Sequence, residues 1–338
     1  MTDSQVARTA ERPIRIALCP GLAPNILKVA KSMAPPGTEL IQANVAADKD
    51  LALAVVRNAD FIFGFPEGVP TAVVEAADRV QLIQMLSAGY DKMDTPLALT
   101  RGIPVAVNGG ANAPSVAEHT ILLILALYRH LVDKALIVRS GSWEIATAAP
   151  KPSHELTGKT VGLLGAGFIG RAVAARLRGF ETNIIYFDVR RLPAEIEQEF
   201  ELTYVAFEEL IRQADVISLH LPLLPDTRNI IGEVELAAMK PEAILVNTAR
   251  GELIDEEALA RALKKERILG AALDVTVVEP PRPDHPLRTL SNCLLTPHSA
   301  GLTQENFPRR LRNAFSNVSR VLSGETPSWL IAGSPEKR

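Results

Sequence analysis

The sequence predicts an α/β protein with two domains, each built on a doubly wound parallel sheet. Its 338 residues exceed what one hydrophobic core usually serves, so two domains are expected. From Ile14 onward, short apolar runs typical of buried strands alternate with segments of helical spacing. Strands that are separated by helical crossovers cannot be neighbouring hairpins, so the sheets are expected to be parallel. We expect a cleft between the two domains.

The composition is that of a soluble globular protein. Hydrophobic residues make up 47% and charged residues 22% of the chain, and the formal net charge is −3. This balance gives no reason to expect a nucleic-acid partner. The longest strongly apolar run, residues 121–128, is far too short to cross a bilayer, and the first dozen residues lack the apolar core of a signal peptide. We therefore expect a loose N-terminal tail, no membrane partner and a cytoplasmic location.

The two cysteines, Cys19 and Cys293, lie far apart in the sequence. Two widely separated thiols predict neither a disulfide framework nor a cysteine metal site. Buried free thiols and no bound metal are expected.

The first series of segments carries no glycine fingerprint. Its strand-like pieces are IRIALCP, ELIQAN, ADFIFGF, QLIQML and PVAVN, and helical spacing occurs at Pro24–Met33, Lys49–Arg57 and Thr71–Ala77. This order predicts a parallel α/β unit.

A long helix is predicted after this unit. It is expected to begin at Ser115, which has the capping-box spacing to Glu118, and to stop near Gly141. Its first half is apolar almost all round and is expected to be buried between domains or subunits. The segment from Trp143 to Leu156 is expected to be a loop.

The stretch VGLLGAGFIG has glycines at a predicted strand-to-helix turn. Gly165 permits a tight bend, Gly167 leaves the backbone bare where a pyrophosphate would approach, and Gly170 lets the helix pack closely on its strand. The next strand ends in Asp188, where a ribose-binding acid is expected. An ordinary tight turn is the alternative interpretation of the glycines alone. Strand, helix, second strand and acid together favour a dinucleotide site.

The second series continues this alternation. Its strand-like pieces are NIIYFD, DVISLHLP, AILVNTAR, GAALDV and CLLTPH, and helical spacing occurs at Phe207–Gln213, Glu233–Met239 and Asp255–Glu266. The segment Thr303–Leu322 is again helical, but Pro308 requires that this helix begin at Asn306 or kink.

Two histidines follow predicted buried strands. His220 and His298 come at the carboxyl ends of SLH and LLTPH, and ligands bind at the carboxyl ends of parallel strands. Histidine is the usual proton carrier for interconverting an alcohol and a carbonyl. Of the other four histidines, His119 and His130 are interpreted as packing or helix-end residues. His154 and His285 are interpreted as solvated loop residues.

Two charged residues are further candidates. Arg250 ends the strand-like run AILVNTAR and is well placed to hold a carboxylate, although a surface salt bridge is its simpler interpretation. Glu279 lies in VVEPP and, without a known partner, has the character of an exposed loop acid.

The chain closely resembles the D-isomer-specific 2-hydroxyacid dehydrogenases. The resemblance is carried, in the family's order, by SAGYDKMD, NAPSVAEHTILLILAL, GKTVGLLGAGFIGR, YFD, SLHLPLLPDTRNII, VNTARGELIDEEAL, GAALDV, EP and TPHSAG. It implies an NAD-dependent enzyme that interconverts a small D-2-hydroxy acid and its 2-keto acid by hydride transfer. It also implies two Rossmann-like domains: residues 1–112 with 303–338 as a flavodoxin-like substrate-binding domain, and residues 113–302 as the NAD-binding Rossmann domain.

The resemblance also implies roles for particular residues. Arg250 would orient the substrate, His298 would be the acid/base, and Glu279 would hydrogen-bond His298. Amides near Ala88 and Gly89 would bind the substrate carboxylate. The residues expected to contact the cofactor are Gly165, Gly167, Phe168, Ile169, Gly170, Asp188, His220, Thr227, Thr248, Ala249, Asp274 and His298.

The expected cofactor is NAD, because Asp188 would accept hydrogen bonds from ribose hydroxyls and repel the extra phosphate of NADP. NADP stays open, since Arg190 or Arg191 would tolerate that phosphate. An NAD(H)-sensing dimeric scaffold of the corepressor type is the alternative function. The resemblance further implies a homodimer formed through Val116–Arg139.

Departures from the family's patterns bear on the substrate. After the strand ADFIF the turn carries Gly64, Phe65 and Pro66, where phosphoglycerate dehydrogenases place an arginine for the phosphate, so a phosphorylated substrate is not favoured. Formate is not favoured either, because formate dehydrogenases have glutamine in place of Glu279. Phe65 and Tyr90 would line a small, partly apolar pocket. Glyoxylate, hydroxypyruvate, pyruvate and a branched 2-keto acid all stay open.

Overall fold

A computed structural model describes residues 12–143, 152–336 and 338. The chain forms two compact units, of which unit 1 comprises residues up to Asn112 together with Gln304–Arg338, and unit 2 comprises Ala113–Thr303. The expected N-terminal tail lies outside the described residues except for Arg12. Most of the loop expected over residues 143–156 also lies outside them.

The elements alternate along the chain as predicted. The strands are β1 (Ile14–Cys19), β2 (Thr38–Gln42), β3 (Phe61–Gly64), β4 (Leu82–Met85), β5 (Val105–Ala106), β6 (Thr160–Leu164), β7 (Asn183–Phe187), β8 (Leu202–Tyr204), β9 (Val216–Leu219), β10 (Ile244–Asn247), β11 (Gly270–Leu273) and β12 (Cys293–Leu295). The helices are α1 (Pro24–Met33), α2 (Lys49–Arg57), α3 (Thr71–Glu75), α4 (Thr95–Thr100), α5 (Ala113–Tyr128), α6 (Leu131–Arg139), α7 (Phe168–Leu177), α8 (Ala194–Phe200), α9 (Phe207–Gln213), α10 (Glu233–Ala238), α11 (Glu256–Lys264) and α12 (Asn306–Leu322). The sequence pattern did not predict α4, α8 and β8, which are short.

Unit 1 is built on a parallel sheet with strand order β2-β1-β3-β4-β5. This is the flavodoxin-like order of doubly wound sheets. All residues of β3 and β4 are buried, as expected for parallel strands that are covered on both faces.

The C-terminal helix α12 completes the core of unit 1. Its residues Leu311, Phe315 and Val318 pack with apolar residues of β1, β3 and β4, and the rings of Phe63 and Phe315 lie 5.3 Å apart. Pro308 lies in the first turn of α12, where its missing N–H breaks no helical hydrogen bond. The helix therefore begins at Asn306 and does not kink at the proline.

Unit 2 is built on a parallel sheet with strand order β12-β11-β10-β9-β6-β7-β8. Numbered within the unit, this order is 3-2-1-4-5-6 with one further strand, which is the Rossmann arrangement. The predicted α/β fold class with two parallel sheets is confirmed. The strand order reverses between β6 and β9, and ligands bind at such a switch point in doubly wound sheets.

The prediction of one long helix after the first series is wrong. Two helices, α5 and α6, are separated at His130, whose left-handed backbone (φ 50°) ends the regular helical path. Ser115 lies inside α5, and its hydroxyl contacts the hydroxyl of Thr303 at 2.9 Å instead of capping the helix. The apolar first half is buried, because ten of the sixteen residues of α5 are buried, but its burial between domains or subunits stays a prediction. They pack on α7, β10 and β11 of their own unit.

Candidate active site

The glycine-rich turn joins β6 to α7, and its glycines meet three different steric demands. Gly165 has φ +97°, and a Cβ there would lie 2.7 Å from the carbonyl oxygen of His220. A Cβ on Gly170 would lie 2.2 Å from the carbonyl oxygen of Gly165. A Cβ on Gly167 would meet no described atom within 4 Å. The first two glycines therefore allow close packing of the turn, and Gly167 borders open space.

The first turn of α7 is suited to an anion. Gly167 is the N-cap residue and has no side chain to occupy the amides that follow. Unpaired amides at a helix start attract the negative charge of a phosphate. Phe168 is 52% exposed and Ile169 is half-buried, so apolar surface borders these amides. The residues of this turn fit the pyrophosphate and adjoining apolar parts of a dinucleotide.

Asp188 follows β7 and connects it to the glycine turn. Its Oδ2 accepts a hydrogen bond from the amide of Ala166 at 2.9 Å. Three residues further on, Arg191 makes two hydrogen bonds of 2.9 Å to the carboxylate of Glu197. The hydroxyl of the buried Tyr186 also donates to Glu197, at 2.7 Å. The guanidinium of Arg191 is thus held by a carboxylate of α8, six residues along the chain.

His220 follows β9, beside the turn at Gly165. Its Nε2 lies 2.9 Å from the hydroxyl of Ser218, and burial lowers the pKa of His220 to about 3. The imidazole is therefore neutral at physiological pH. A neutral ring beside a predicted cofactor pocket suits packing and not proton transfer.

Two threonines that were expected to line the cofactor have hydroxyl groups that contact other atoms of the protein. Thr227 donates to the carbonyl oxygen of Pro222 at 2.7 Å and accepts from the amide of Leu224 at 2.8 Å. The hydroxyl of Thr248 lies 3.1 Å from that of Thr120. Their expected cofactor contacts stay predictions.

The loops after β10, β11 and β12 are joined to one another by backbone hydrogen bonds. The amide of Asp274 donates to the carbonyl of Asn247 at 2.9 Å, and the amide of His298 donates to the carbonyl of Asp274 at 2.8 Å. These three strands are neighbours and parallel, so their ends lie along one side of the sheet. We call this side of each sheet its carboxyl edge. Arg250, Asp274 and His298 all follow strands at the carboxyl edge of unit 2.

The turn that carries Arg250 is shaped by Asn247. The side-chain amide of Asn247 donates to the carbonyl of Arg250 at 2.7 Å, and its oxygen accepts from the amide of Ala249 at 2.9 Å. The guanidinium of Arg250 donates to the carbonyl of Ala249 at 2.7 Å. Because a Cβ on Gly251 would lie 2.1 Å from the carbonyl carbon of Thr276, this turn packs directly on the loop that leads to Glu279.

Asp274 holds the loop that carries His298. Its carboxylate accepts from the hydroxyl of Thr296 at 2.6 Å and from the amides of Ser299 and Ala300 at 2.9 and 2.8 Å, while His119 Nε2 lies 3.5 Å away. Burial alone would raise the pKa of Asp274, but these hydrogen bonds outweigh it and lower the pKa. His298 itself has a left-handed backbone, with φ 51°. The ionised Asp274 thus fixes an uncommon backbone conformation at the histidine.

His298 and Glu279 are in contact. The Nδ1 of His298 lies 2.9 Å from Oε2 of Glu279, whose other oxygen accepts from the amide of Thr276 at 3.3 Å. The carboxylate favours the tautomer with the proton on Nδ1. Among the described residues, none hydrogen-bonds Nε2 of His298. With half of the imidazole side chain exposed, Nε2 is open to a ligand.

The residues expected to form the substrate pocket in unit 1 lie at the carboxyl edge of its own sheet. Phe65 directly follows β3, and the amide of Leu86 beside it donates to the carbonyl of Gly64 at 2.7 Å. Ala88 is exposed, while Phe65, Gly89 and Tyr90 are half-buried. The hydroxyl of Ser87 donates to the carbonyl of Gly89 at 2.7 Å and closes the turn that displays the amides of Ala88 and Gly89.

Three of the remaining histidines have surroundings that differ from those expected from the sequence. His119 contacts the hydroxyl of Thr296 at 3.2 Å and so belongs to the network around Asp274. His285 is not solvated, because its Nε2 lies 3.1 Å from Glu256 and its side chain is only 16% exposed. His154 packs on Tyr128, with ring centroids 5.5 Å apart, and its Nε2 is buried. The sequence gives no local signal for these contacts, since each partner lies far along the chain.

Two classes of feature are absent from the part of the chain that the structure describes. It contains no group of three or more histidine, cysteine, aspartate or glutamate residues suited to a metal ion. None of its helices combines the length and the apolar character needed to cross a membrane.

Comparison with known proteins gives the family. Residues 121–300 match the family model described as D-isomer specific 2-hydroxyacid dehydrogenase, NAD binding domain. The chain belongs to the D-isomer-specific 2-hydroxyacid dehydrogenase family. A glyoxylate reductase from Thermofilum pendens is 38% identical over 305 residues, which cover 88% of this chain and 85% of the relative.

Solved structures of 2-hydroxyacid dehydrogenases are also similar. A glyoxylate reductase from Paecilomyes thermophila superposes with a TM-score of 0.82 at 30% identity, covering 96% of this chain and 100% of that one. The NAD-complexed form of a D-isomer specific 2-hydroxyacid dehydrogenase from Lactobacillus delbrueckii ssp. bulgaricus superposes with a TM-score of 0.78 at 26% identity, covering 94% and 99%.

This 2-hydroxyacid dehydrogenase is therefore an oxidoreductase that interconverts a D-2-hydroxy acid and its 2-keto acid. Its cofactor is NAD, with NADP as the alternative. These comparisons give no support to the alternative of a corepressor-like scaffold with little turnover.

Proposed function

We propose that the protein reduces a small 2-keto acid, with His298 as the proton donor. The observation that carries this proposal is the 2.9 Å contact between His298 Nδ1 and Glu279, which leaves Nε2 for the substrate. The carboxylate at Nδ1 orients the ring and directs Nε2 away from Glu279, so that Nε2 can exchange a proton with the substrate. Glyoxylate and hydroxypyruvate are the first candidates, since the relatives include glyoxylate reductases.

In the reduction, Nε2 of His298 donates a proton to the keto oxygen, which would otherwise carry a full negative charge. A nicotinamide cofactor held by the glycine turn and Asp188 of unit 2 would supply the hydride to the carbonyl carbon. Arg250 offsets the developing charge and aligns the substrate carboxylate, for which a planar guanidinium is well suited. Glu279, in contact with Nδ1, keeps the ring oriented during the transfer. In the reverse direction, the neutral imidazole accepts the proton from the hydroxy acid.

The amides of Ala88 and Gly89 are proposed to bind the substrate carboxylate, and Phe65 and Tyr90 to line the pocket. The proposal is supported by their common location at the carboxyl edge of unit 1. Arg250 is proposed to bind the same carboxylate from the corresponding edge of its own sheet. Residues 1–112 with 303–338 are accordingly proposed as the substrate-binding domain.

The cofactor is proposed to bind in unit 2, over residues 113–302. Gly167 and the first turn of α7 would hold the pyrophosphate, and Asp188 would accept the ribose hydroxyls. Phe168, Ile169, His220, Thr227, Thr248, Ala249 and Asp274 are the further proposed contacts. We propose a preference for NAD over NADP, because Arg191 is already paired with Glu197.

A homodimer through Val116–Arg139 is also proposed. It is supported by α6, which has no buried residue and exposes Leu131, Val132, Leu136, Ile137 and Val138 by 37% or more. Contiguous apolar surface of this kind is typical of an interface. The measurement is gel filtration with light scattering, and a monomer at micromolar concentration would contradict the proposal. The cytoplasmic location stays a prediction.

The function is tested by following NADH and NADPH consumption against glyoxylate, hydroxypyruvate, pyruvate and a branched 2-keto acid. We expect turnover of at least one acid, with NADH preferred and with D-stereochemistry in any chiral product. Tight NADH binding without turnover of any acid would favour the scaffold and contradict the proposal.

A further inference from the structure

Arg310, on the second turn of α12, carries a buried guanidinium. The residue is only 7% exposed, and its guanidinium carbon lies 5.7 Å from the ring centre of Phe65 and 5.4 Å from that of Phe307. Within residues 12–143, 152–336 and 338, no carboxylate and no hydrogen-bond acceptor pairs with this side chain. The two aromatic rings are its described partners.

A buried charge without a counter-ion is uncommon, because leaving water costs several kcal/mol per ion. Two cation–π contacts offset only part of that cost, at roughly 0.5–2 kcal/mol each. Burial, followed by the neighbouring charge of Arg309, lowers the pKa of Arg310 to about 10. The guanidinium therefore remains charged at neutral pH, and an anion beside it would offset the remaining cost of its burial.

Arg310 lies at the carboxyl edge of unit 1. The side chain of Asn108, which follows β5, donates to the carbonyl of Arg310 at 2.8 Å. The amide of Asn108 in turn donates to the carbonyl of Ser87 at 2.9 Å, in the turn that displays the amides of Ala88 and Gly89. Phe65 follows β3, which pairs with β4, and its ring lies against the guanidinium of Arg310. The unpaired cation thus belongs to the same edge as the proposed substrate-binding turn.

We propose that Arg310 binds a second anionic group, a carboxylate or a phosphate, on the 2-keto acid substrate. The inference rests on the proposed function and narrows its substrate class to small 2-keto acids that carry a negative charge at the end remote from the keto group. The guanidinium offers planar, paired donors that match an oxyanion. Monoanionic acids such as glyoxylate are turned over with a lower kcat/KM.

This inference revises the expectation drawn from the turn after β3. That turn has no arginine, which argued against a phosphorylated substrate. The guanidinium comes instead from α12, more than 200 residues later in the chain, and reaches the same turn through Phe65.

The test compares Arg310→Met with Arg310→Lys and with Arg312→Met. Methionine keeps an unbranched apolar chain between the rings but removes the charge, and lysine keeps the charge without the planar fork. Arg312 is exposed on the same helix and controls for loss of one positive charge. For each variant, kcat/KM is measured with oxaloacetate and 3-phosphohydroxypyruvate, and with pyruvate and glyoxylate. Comparing oxaloacetate with 3-phosphohydroxypyruvate tells whether the second anion is a carboxylate or a phosphate.

We take the better substrate of oxaloacetate and 3-phosphohydroxypyruvate, the two acids with a second anionic group. The ratio of its kcat/KM to that for pyruvate should fall about 10- to 100-fold in Arg310→Met. In Arg310→Lys this ratio should fall less than in Arg310→Met, and in Arg312→Met it should not change. An unchanged ratio in Arg310→Met overturns the inference, and so does an equal loss for all four acids, which would assign Arg310 to the common carboxylate or to the fold.

A measurement on the unaltered protein covers the case in which Arg310→Met does not fold. In the unaltered protein, kcat/KM must be higher for oxaloacetate or 3-phosphohydroxypyruvate than for pyruvate, and the reverse order overturns the inference. Failure of the proposed function has a different signature, since no 2-keto acid of either class would then be reduced.

Discussion

The carboxyl edges of the two parallel sheets differ in what holds their polar groups. In unit 2, Asp274 is surrounded by donors and fixes the backbone at His298, and Glu279 fixes the ring of that histidine. In unit 1, the edge presents the backbone amides of Ala88 and Gly89, and the buried cation Arg310 lies near the rings of Phe65 and Phe307. In unit 2, Asp274, Glu279 and His298 thus have hydrogen-bond partners within the protein. In unit 1, Arg310 has no counter-ion among the described residues, and the one proposed for it is a ligand.

The difference fits two proposed roles: proton transfer at the edge of unit 2 and substrate selection at the edge of unit 1. Groups that transfer a proton must keep one position and one protonation state, so the protein supplies their hydrogen-bond partners. Groups that select a substrate gain most when their partner is the substrate itself, because an incorrect ligand then leaves them unpaired. Four substitutions test how far this contrast holds.

The largest effect is expected for His298→Asn. Loss of the proton donor should lower kcat by about 100- to 10,000-fold while NADH binding, measured by fluorescence titration, is retained. Asparagine tolerates the left-handed backbone at this position. His130→Asn is the matched control, because His130 has nearly the same φ of 50° and lies at the junction of α5 and α6. Turnover within ten-fold of the unaltered protein would remove His298 from the chemistry.

Asp274→Asn should reduce kcat about 10- to 100-fold, because the loop that positions His298 loses its ionised acceptor. It should also destabilise the protein by about 1–3 kcal/mol at pH 7, measured by urea unfolding. The folded-state pKa of Asp274 is lowered, so its contribution to stability is complete above the ordinary aspartate value and lost as pH falls through the folded value. The difference between the two proteins should therefore shrink below about pH 4. A pH-independent difference would contradict this role.

Glu279→Gln should have a moderate effect. Glutamine still accepts a hydrogen bond from Nδ1 but lacks the negative charge that would offset positive charge on the ring. At neutral pH we expect a loss of about ten-fold in kcat/KM for 2-keto acid reduction. The unaltered protein is the reference, and an unchanged kcat/KM would show that Glu279 only orients the ring.

The smallest effect is expected for Glu197→Gln, which alters cofactor selection. Removing the carboxylate frees Arg191 to meet the additional phosphate of NADP, so the ratio of kcat/KM for NADPH to that for NADH should rise several-fold. Glu195→Gln, an exposed change in the same helix, is the control. An unchanged ratio would mean that Asp188 alone sets the preference.

The sequence was informative where a function depends on neighbouring residues. The turn at Gly165–Gly170 was predicted correctly, because bend, open space and close packing follow one another within six positions. The contact of Glu279 with His298 was anticipated only through the resemblance, since 19 residues separate them. The contacts of His119 and Arg310 could not be predicted, because their partners come from distant segments that meet only in the folded chain.

Local patterns also failed where tertiary contacts overrode them. The periodicity from Ser115 to Arg139 favoured one helix, yet the chain breaks at His130. Its first part is covered by α7 and its second part is exposed. The helical pattern shows that both parts carry apolar residues. It does not show that the first part is covered by the protein while the second is exposed.

The packing of α12 against the first sheet has a consequence for synthesis on the ribosome. The nascent chain makes β1 to β5 first, but the apolar face that Leu311, Phe315 and Val318 cover waits until the last helix emerges. Unit 2, which is contiguous, can fold while that face is still bare. The earliest part of this polypeptide to be made is therefore the last to mature, and until then its uncovered strands are a natural target for a chaperone.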